Sequence, residues 1–152
     1  MKTLIALLIT LALATNALAA DSLGIGIRGG AATNRSSNFT EAFADLYLNR
    51  LVSIGATAAY VMLDKDNARS IRRDESLPIT ALFKIHAPIP FFQPYAGLGA
   101  ALVFHDKRGT KGTPVALAGG DLLFGPFFVN VEYRRQFDDE LNFLGGGVGV
   151  RF

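Results

Sequence analysis

The last twelve residues of the chain, Leu141 to Phe152, alternate between large apolar side chains and small or polar ones. We call the residues on the apolar side of such an alternation the apolar parity and those on the other side the polar parity. Here the apolar parity holds Leu144, Val148, Val150 and Phe152. A period of two places successive side chains on opposite faces of a β-strand. The pattern therefore predicts a closing strand with one apolar face, and the sequence ends on an aromatic residue.

The first twenty residues have the composition of a secretory leader. Lys2 precedes the apolar run Leu4 to Ala14, and Ala17-Leu18-Ala19 supplies small residues for a cleavage site. This run is too short to span a bilayer, which takes about 20 helical residues. We predict a cleaved signal peptide over residues 1–20, with an uncleaved helix at the lipid surface as the alternative. Residues 21–152 then form one domain.

Composition and charge exclude several classes of protein. Without Lys2 the chain has 14 basic and 13 acidic residues, so it lacks the basic excess of a nucleic-acid-binding protein. Cysteine is absent, so no disulfide stabilises the fold. After the leader no segment is apolar enough for a membrane helix. A membrane location would therefore require a closed barrel, because lipid cannot satisfy open sheet edges.

Eight stretches of the mature chain alternate or are rich in strand-forming residues. We predict strands at Leu23–Ala32, Thr40–Leu48, Val52–Leu63, Leu77–His86, Gln93–Phe104, Val115–Leu123, Phe127–Arg134 and Leu141–Phe152. The first, third, fifth and seventh connections are polar, and the others are short or rich in proline. Such alternation is typical of transmembrane barrels, which have short periplasmic turns and longer outer loops. The sequence thus predicts an all-β, eight-stranded antiparallel up-and-down transmembrane β-barrel.

Aromatic residues on the apolar parity fall near the strand ends. Tyr60, Phe104 and Tyr133 lie towards the predicted outer ends, and Phe83, Phe124, Phe127 and Phe152 lie towards the inner ends. Two aromatic girdles are expected on a barrel surface that faces lipid. Scattered aromatic residues of a soluble core are the alternative.

The polar parity indicates which face is inside. It is rich in glycine and carries few charges per strand, whereas the solvated outer face of a soluble barrel would be dense in charge. Its charges also balance: Arg28, Lys84, Arg134 and Arg151 stand against Glu41, Asp45, Asp121 and Glu132. Buried charges persist when they are paired and hydrogen-bonded. We therefore expect an ion-pair network in a lumen filled by glycines and paired charges, which leaves no open pore.

Three motifs resemble the small outer-membrane barrels of the OmpA/OmpX type. They are Pro94-Tyr95-Ala96-Gly97-Leu98-Gly99-Ala100, Val131-Glu132-Tyr133-Arg134 and the closing Gly147-Val148-Gly149-Val150-Arg151-Phe152. The resemblance implies a bacterial outer-membrane location, a structural, adhesive or envelope-maintenance role, no catalysis and no cofactor. It also implies that Val148, Val150 and Phe152 form the insertion signal for the barrel assembly machinery.

The alternative is an enzyme, because the closing half also resembles lipid A deacylases, including Leu141-Asn142-Phe143. Those enzymes use a His and a Ser two residues apart on one strand, together with a carboxylate. The comparable place here has Arg134-Arg135-Gln136-Phe137 instead. Neither His86 nor His105 has a serine two residues away. We therefore expect no acyl hydrolase activity.

Other candidate sites have simpler explanations as surface groups. Asp138-Asp139-Glu140 could ligate calcium, and His105-Asp106 could form a metal or catalytic pair, but a solvated loop explains both. We expect no metal. Outer-membrane lipid is the expected surrounding, and the protein is expected to be a monomer. Basic residues on the predicted loops and rim could bind lipopolysaccharide phosphates: Lys65, Arg69, Arg72, Arg73, Lys107, Arg108, Lys111 and Arg135.

Overall fold

A computed structural model describes residues 23–32, 37–63, 76–105, 109–138 and 141–152. The predicted signal peptide lies outside these residues. The described chain forms eight strands: β1 (Leu23–Ala32), β2 (Ser37–Tyr47), β3 (Val52–Leu63), β4 (Ser76–His86), β5 (Phe92–His105), β6 (Gly109–Phe124), β7 (Phe127–Gln136) and β8 (Leu141–Arg151). In the part of the chain described, no helix is long and apolar enough to cross a bilayer.

The eight strands form one closed antiparallel barrel in which each strand pairs with its neighbours in sequence. Closure comes from β1 and β8, which pair from Gly24 opposite Arg151 to Ala32 opposite Phe143. Two 2.9 Å backbone hydrogen bonds between Leu23 and Phe152 continue this pairing past the end of β8. The predicted all-β, eight-stranded antiparallel barrel is therefore confirmed, as is the predicted pairing of the first and last segments.

The seam between β1 and β8 is rich in glycine. Three of its cross-strand pairs are Gly–Gly: Gly26 with Gly149, Gly29 with Gly146, and Gly30 with Gly145. Such pairs have no side chains to pack against each other. The seam is therefore held by backbone hydrogen bonds and by the few larger residues beside the glycines.

The barrel has two different ends. Leu23, Phe152 and the short turns at residues 48–51, 87–91 and 125–126 lie at one end, which we call the terminal end. The strand ends at Ala32, Leu63, His105 and Gln136 lie at the opposite end, which we call the loop end. Asn49 shapes the first turn, because its side-chain oxygen accepts hydrogen bonds from the backbone N–H groups of Leu51 and Val52.

Several predicted strand boundaries at the loop end are wrong. The segment between the predicted strands Gln93–Phe104 and Val115–Leu123 is largely strand, because β5 extends to His105 and β6 begins at Gly109. Likewise, β2 begins at Ser37 and β7 continues to Gln136. The cross-strand hydrogen bonds of these hairpins continue beyond the apolar part of the barrel. Alternation fades there because the outward residues are polar too, so hydrophobic periodicity underestimates strand length.

The outward face carries the apolar parity, as predicted. Ile27, Leu98, Val131 and Val148 are more than half exposed there. The seven aromatic residues assigned to the two girdles, Tyr60, Phe83, Phe104, Phe124, Phe127, Tyr133 and Phe152, are all exposed as well. A surface this apolar fits lipid as the surrounding solvent.

Glycines on the inward face make room for aromatic rings from neighbouring strands. A Cβ added at Gly26 would lie 2.5 Å from Cζ of Phe43, and one at Gly119 would lie 2.6 Å from the Tyr95 hydroxyl oxygen. Gly145 lies against Phe39 in the same way. The lumen is therefore narrow, and its glycines and rings are complementary in shape.

The contents of the lumen differ in one respect from the prediction. Beside glycines and charges it holds two apolar clusters. One comprises Ala32, Phe39, Ala59, Val61, Leu141 and Phe143, and the other comprises Leu82, Tyr95, Ala101, Val103, Val115 and Leu117. These residues share the polar parity, and most lie in the half of the lumen towards the loop end. The expectation that glycines and paired charges alone fill the lumen is wrong, because this half is packed like a small hydrophobic core.

The packing predicts different effects for two glycines of β1. Gly26→Ala should lower the free energy of unfolding by about 1–3 kcal/mol, since its Cβ would overlap Phe43 and the backbone oxygen of Val148. Gly29→Ala should change it by less than about 0.5 kcal/mol, because the nearest atom to its Cβ is 3.5 Å away. Urea unfolding in detergent micelles measures both. Equal unfolding curves for the two variants would contradict this packing.

Candidate functional site

The structure places all eight charged residues assigned to the lumen inside the barrel. They come from six strands: Arg28 from β1, Glu41 and Asp45 from β2, Lys84 from β4, Asp121 from β6, Glu132 and Arg134 from β7, and Arg151 from β8. All eight belong to one connected set of ion pairs and hydrogen bonds. Seven of them are less than 5% exposed, and the exception is Arg151 at the terminal end.

Two carboxylates and two guanidinium groups form the centre of this lumen network. Arg28 stands directly opposite Glu41 in the β1–β2 register, and its Nη2 lies 2.5 Å from Glu41 Oε1. Arg134 donates to both Glu41 oxygens, at 2.6 and 2.8 Å. Glu132 accepts from Arg134 at 2.7 Å and pairs with Arg28 at 2.7 Å. Each carboxylate therefore bonds both guanidinium groups.

Uncharged side chains extend the network to the remaining ions. The Tyr95 hydroxyl donates to Glu132 at 2.8 Å and accepts from Asn130 Nδ2 at 2.9 Å. Asn130 Nδ2 also donates to Asp121 at 2.6 Å. Lys84 pairs with Asp45 at 2.9 Å and approaches Glu132 at 3.8 Å. These contacts join the pair Asp45–Lys84 and Asp121 to the centre.

Arg151 closes the network at the terminal end of the lumen. Its Nη2 donates to the Tyr47 hydroxyl at 2.5 Å and lies 3.5 Å from Asp121, and its Nη1 donates to Gln93 at 3.0 Å. The guanidinium carbon also lies 4.0 Å from the centre of the Tyr47 ring. A cation over an aromatic face is stabilised by the ring quadrupole.

Sequence reasoning did not assign the uncharged members of the network, Tyr47, Thr57, Gln93, Tyr95 and Asn130. Their parity is the available signal, because all five share the inward parity with the charged residues. The prediction of the network considers charged residues alone. The register between distant strands, which brings Tyr95 of β5 to Glu132 of β7, has no signature in sequence.

The network has no net charge, since four cations face four anions. Removing an ion from water costs several kcal/mol, and a buried pair recovers this only when further hydrogen bonds satisfy it. Both central carboxylates receive several such bonds. A satisfied polar network of this kind is rigid. It occupies the middle of the lumen and the part towards the terminal end.

The barrel brings together one Ser–His pair that spacing in sequence could not reveal. Ser53 Oγ and His86 Nε2 lie 2.8 Å apart, within the lumen near the terminal end. A serine nucleophile needs a histidine that a third group orients, and it needs access to substrate. His86 Nδ1 has no hydrogen-bond partner among the described residues, and both side chains are buried. The pair therefore lacks the acid and the access of an acyl hydrolase.

The segment that would correspond to the hydrolase motif, residues 134–137, lies partly in the lumen and partly on the outer surface. Arg134 belongs to the network, and Gln136 is buried inside the lumen. Arg135 and Phe137 face outward, with the guanidinium carbon 5.4 Å from the ring centre. Nothing in this segment of the described chain resembles a nucleophile or its base.

The other candidate sites lie mainly outside the described residues. These include Lys65, Arg69, Arg72, Arg73, Lys107 and Arg108, as well as Asp106, Asp139 and Glu140, and the side chain of His105. Lys111, Arg135 and Asp138 are described and exposed. Among the residues that the structure describes, no group of three or more His, Asp or Glu side chains could hold a metal ion.

The residues of the predicted insertion signal share the outward face of the closing strand. Val148 and Phe152 are more than half exposed, and Val150 lies between them on the same face. Phe152 follows β8 directly, and its backbone pairs with Leu23 of β1. The aromatic terminus thus lies at the seam where the barrel closes.

Comparisons with known proteins bear on the fold. No protein-family model matches the sequence, and no curated protein matches it. Among solved structures, the N-terminal β-barrel domain of Pseudomonas aeruginosa OprF is 18% identical, with a TM-score of 0.65 over 88% of this chain and 98% of that one. Neisserial surface protein A, NspA, is 14% identical, with a TM-score of 0.65 over 86% and 96%.

A de novo designed transmembrane β-barrel is similar to the same degree. It is 13% identical, with a TM-score of 0.66 over 88% of this chain and 98% of the designed one. Identities this low establish the fold alone. The chain therefore has the fold of the small eight-stranded transmembrane barrels, the OmpA/OmpX type among bacterial outer-membrane proteins. The sequence resemblance is confirmed at this level.

The network predicts that replacing one of its carboxylates by an uncharged amide strongly destabilises the barrel. Glu41→Gln removes the negative charge that faces Arg28 and Arg134, so it leaves uncompensated buried positive charge. Its free energy of unfolding should fall by about 3 kcal/mol in detergent micelles. Asp138→Asn removes an exposed carboxylate and should change it by less than about 0.5 kcal/mol. Denaturant unfolding that is unchanged in Glu41→Gln would show that the network does not stabilise the barrel.

Proposed function

We propose that this protein is an integral outer-membrane β-barrel with a structural, adhesive or envelope-maintenance role. In this proposal it conducts nothing and catalyses no reaction. The observation that carries the proposal is the combination of an apolar outer wall with a lumen packed by buried side chains whose charges balance. Such a molecule offers lipid a surface on its outside and offers solutes no passage or reaction site within.

The two ends of the barrel support an orientation in the membrane. Short turns at the terminal end, where the first and last described residues also lie, are typical of the periplasmic side of outer-membrane barrels, and longer connections are typical of the outside. The terminal end then lies in the periplasmic leaflet of a bacterial outer membrane. The loop end carries any adhesive or receptor function, because loops on a rigid scaffold commonly do.

Lipopolysaccharide is the proposed partner at the loop end. Arg135 faces outward there and is the next residue after Tyr133 on the same face. Tyr133 belongs to the aromatic girdle at the loop end, which we call the upper girdle, and the girdle at the terminal end is the lower girdle. Lys111 of the adjacent strand β6 is also exposed. Guanidinium groups bind phosphate oxygens with two parallel hydrogen bonds. In this orientation Arg135 stands at the height of the lipid headgroups. The protein needs no second copy for this role, so we propose a monomer.

The closed lumen predicts that the protein forms no pore. Eight strands leave room for side chains alone, and the side chains of the network centre are almost completely buried. Protein reconstituted in a planar bilayer should give no stable single-channel steps. Heat-modifiable migration on a gel, after fractionation of outer membranes, verifies that the sample is folded and where it resides. Stable, large conductance steps from the folded protein would overturn the proposal of a closed barrel.

The closing strand predicts a difference between assembly in cells and folding in vitro. Burial of the Phe152 ring contributes about 2 kcal/mol at most, and the ring is half exposed, so Phe152→Ala should fold nearly normally into detergent. If the assembly machinery recognises this terminus, the same variant should accumulate in the periplasm or be degraded.

Fractionation followed by immunoblotting measures the effect in cells, and Phe127→Ala is the matched control. Phe127 is an equally exposed outward ring near the same end, but it stands outside the last strand. Wild-type amounts of Phe152→Ala in the outer membrane would count against the insertion signal.

A further inference from the structure

The turn between β4 and β5 is apolar throughout, although it lies at an end of the barrel. It runs Ala87-Pro88-Ile89-Pro90-Phe91 and leads directly into Phe92. Phe91 is 77% exposed, the highest value among the described large hydrophobic residues, and Ile89 is 49% exposed. Apolar side chains displayed together in this way indicate contact with another phase or another molecule.

Phe91 has an unusual backbone conformation that the neighbouring strand holds in place. Its φ of 68° makes it the one non-glycine residue with a positive φ in the described chain. Bulky residues rarely adopt this conformation, and it persists where surrounding structure enforces it. Here the Phe91 carbonyl accepts a 2.8 Å hydrogen bond from the Leu123 N–H. This bond ties the β4–β5 turn to the strand beside it.

A recess lies between this turn and the β6–β7 turn. It has a volume of about 480 Å³ and is lined by Phe91, Leu122, Leu123, Phe124 and Gly125. Leu122 and Phe124 are outward-facing residues of β6, and Phe124 belongs to the lower aromatic girdle. The Phe92 ring covers Gly120 on the same face. The turn is therefore continuous with the surface that faces lipid.

The neighbouring β2–β3 turn provides a comparison within the same molecule. It carries Asn49 and Arg50, both exposed, and the Asn49 side chain caps its backbone. Residues 48–51 of that turn also include Leu48 and Leu51, but its tip presents two polar side chains. The β4–β5 turn, at the same end, has no charged or hydrogen-bonding side chain. The contrast favours lipid over water around Phe91.

We infer that the β4–β5 turn is set among the phospholipid acyl chains of the leaflet at the terminal end. Phe91 enters the leaflet beside the lower girdle, and the recess holds a segment of one acyl chain. Burying these side chains in lipid removes apolar area from water, which is favourable. The barrel is thereby anchored on one side of its circumference, along β4 to β6. This inference rests on the proposed membrane location.

The chain contains no tryptophan, so a single introduced one reports on its own surroundings. The experiment compares Phe91→Trp with two controls, Phe127→Trp in the lower girdle and Arg50→Trp in the polar turn. Each variant is reconstituted into phosphatidylcholine vesicles whose acyl chains carry bromine in both leaflets, so the direction of insertion does not matter. Brominated chains quench tryptophan on contact, and aqueous iodide quenches tryptophan exposed to water.

The inference expects Trp fluorescence at position 91 to be lost in brominated vesicles as fully as at position 127, with little quenching by iodide. Position 50 should show the reverse. Quenching of position 127 by bromine but of position 91 by iodide alone would overturn the inference and leave the membrane barrel intact. Failure of bromine to quench position 127 would overturn the membrane location itself. If Phe91→Trp does not show heat-modifiable folding, Ile89→Trp takes its place with the same expected results.

Discussion

The requirement that every backbone N–H and C=O find a partner governs this molecule. In lipid an unpaired edge has no water to bond, so a sheet must close on itself. Closure here depends on β1 and β8, the two ends of the chain, meeting along their full length. Eight strands closed in this way enclose a narrow lumen and give the sheet one inward face and one outward face.

A narrow lumen then decides what the inward residues can be. Glycines accept the rings of Phe39, Phe43 and Tyr95, and charged groups are admitted only as a compensated set. Glu41 and Glu132 each bond the same two guanidinium groups, so neither carboxylate is left with a single partner. The two apolar clusters complete the filling towards the loop end. The interior is thus organised as that of a soluble protein, while the exterior is apolar.

Period-two alternation predicts the eight strands and their parity, and the eight charged residues of the predicted network lie on the inward side of those strands. These are local properties of each strand. The inward aromatic residues were missed because an apolar residue on the polar parity looks like an interruption of the pattern. The Ser53–His86 contact and the Tyr95–Glu132 contact depend on register and curvature between strands, which alternation does not encode. The predicted strands are too short at the loop end, because alternation disappears before hydrogen bonding does.

Because the seam is rich in glycine, the lumen network has a second role: it helps to set the register between β1 and β8. Where glycine faces glycine across β1 and β8, sliding one strand by two residues would change the local packing little. It would, however, move Arg28 by about 7 Å relative to β7 and β8. Arg28 would then lose Glu132 and Asn130, both of which it reaches across the seam. Arg151 would likewise lose Tyr47. Charges at the centre of the molecule thus help to select one alignment for two strands whose glycine pairs do not distinguish one register from another.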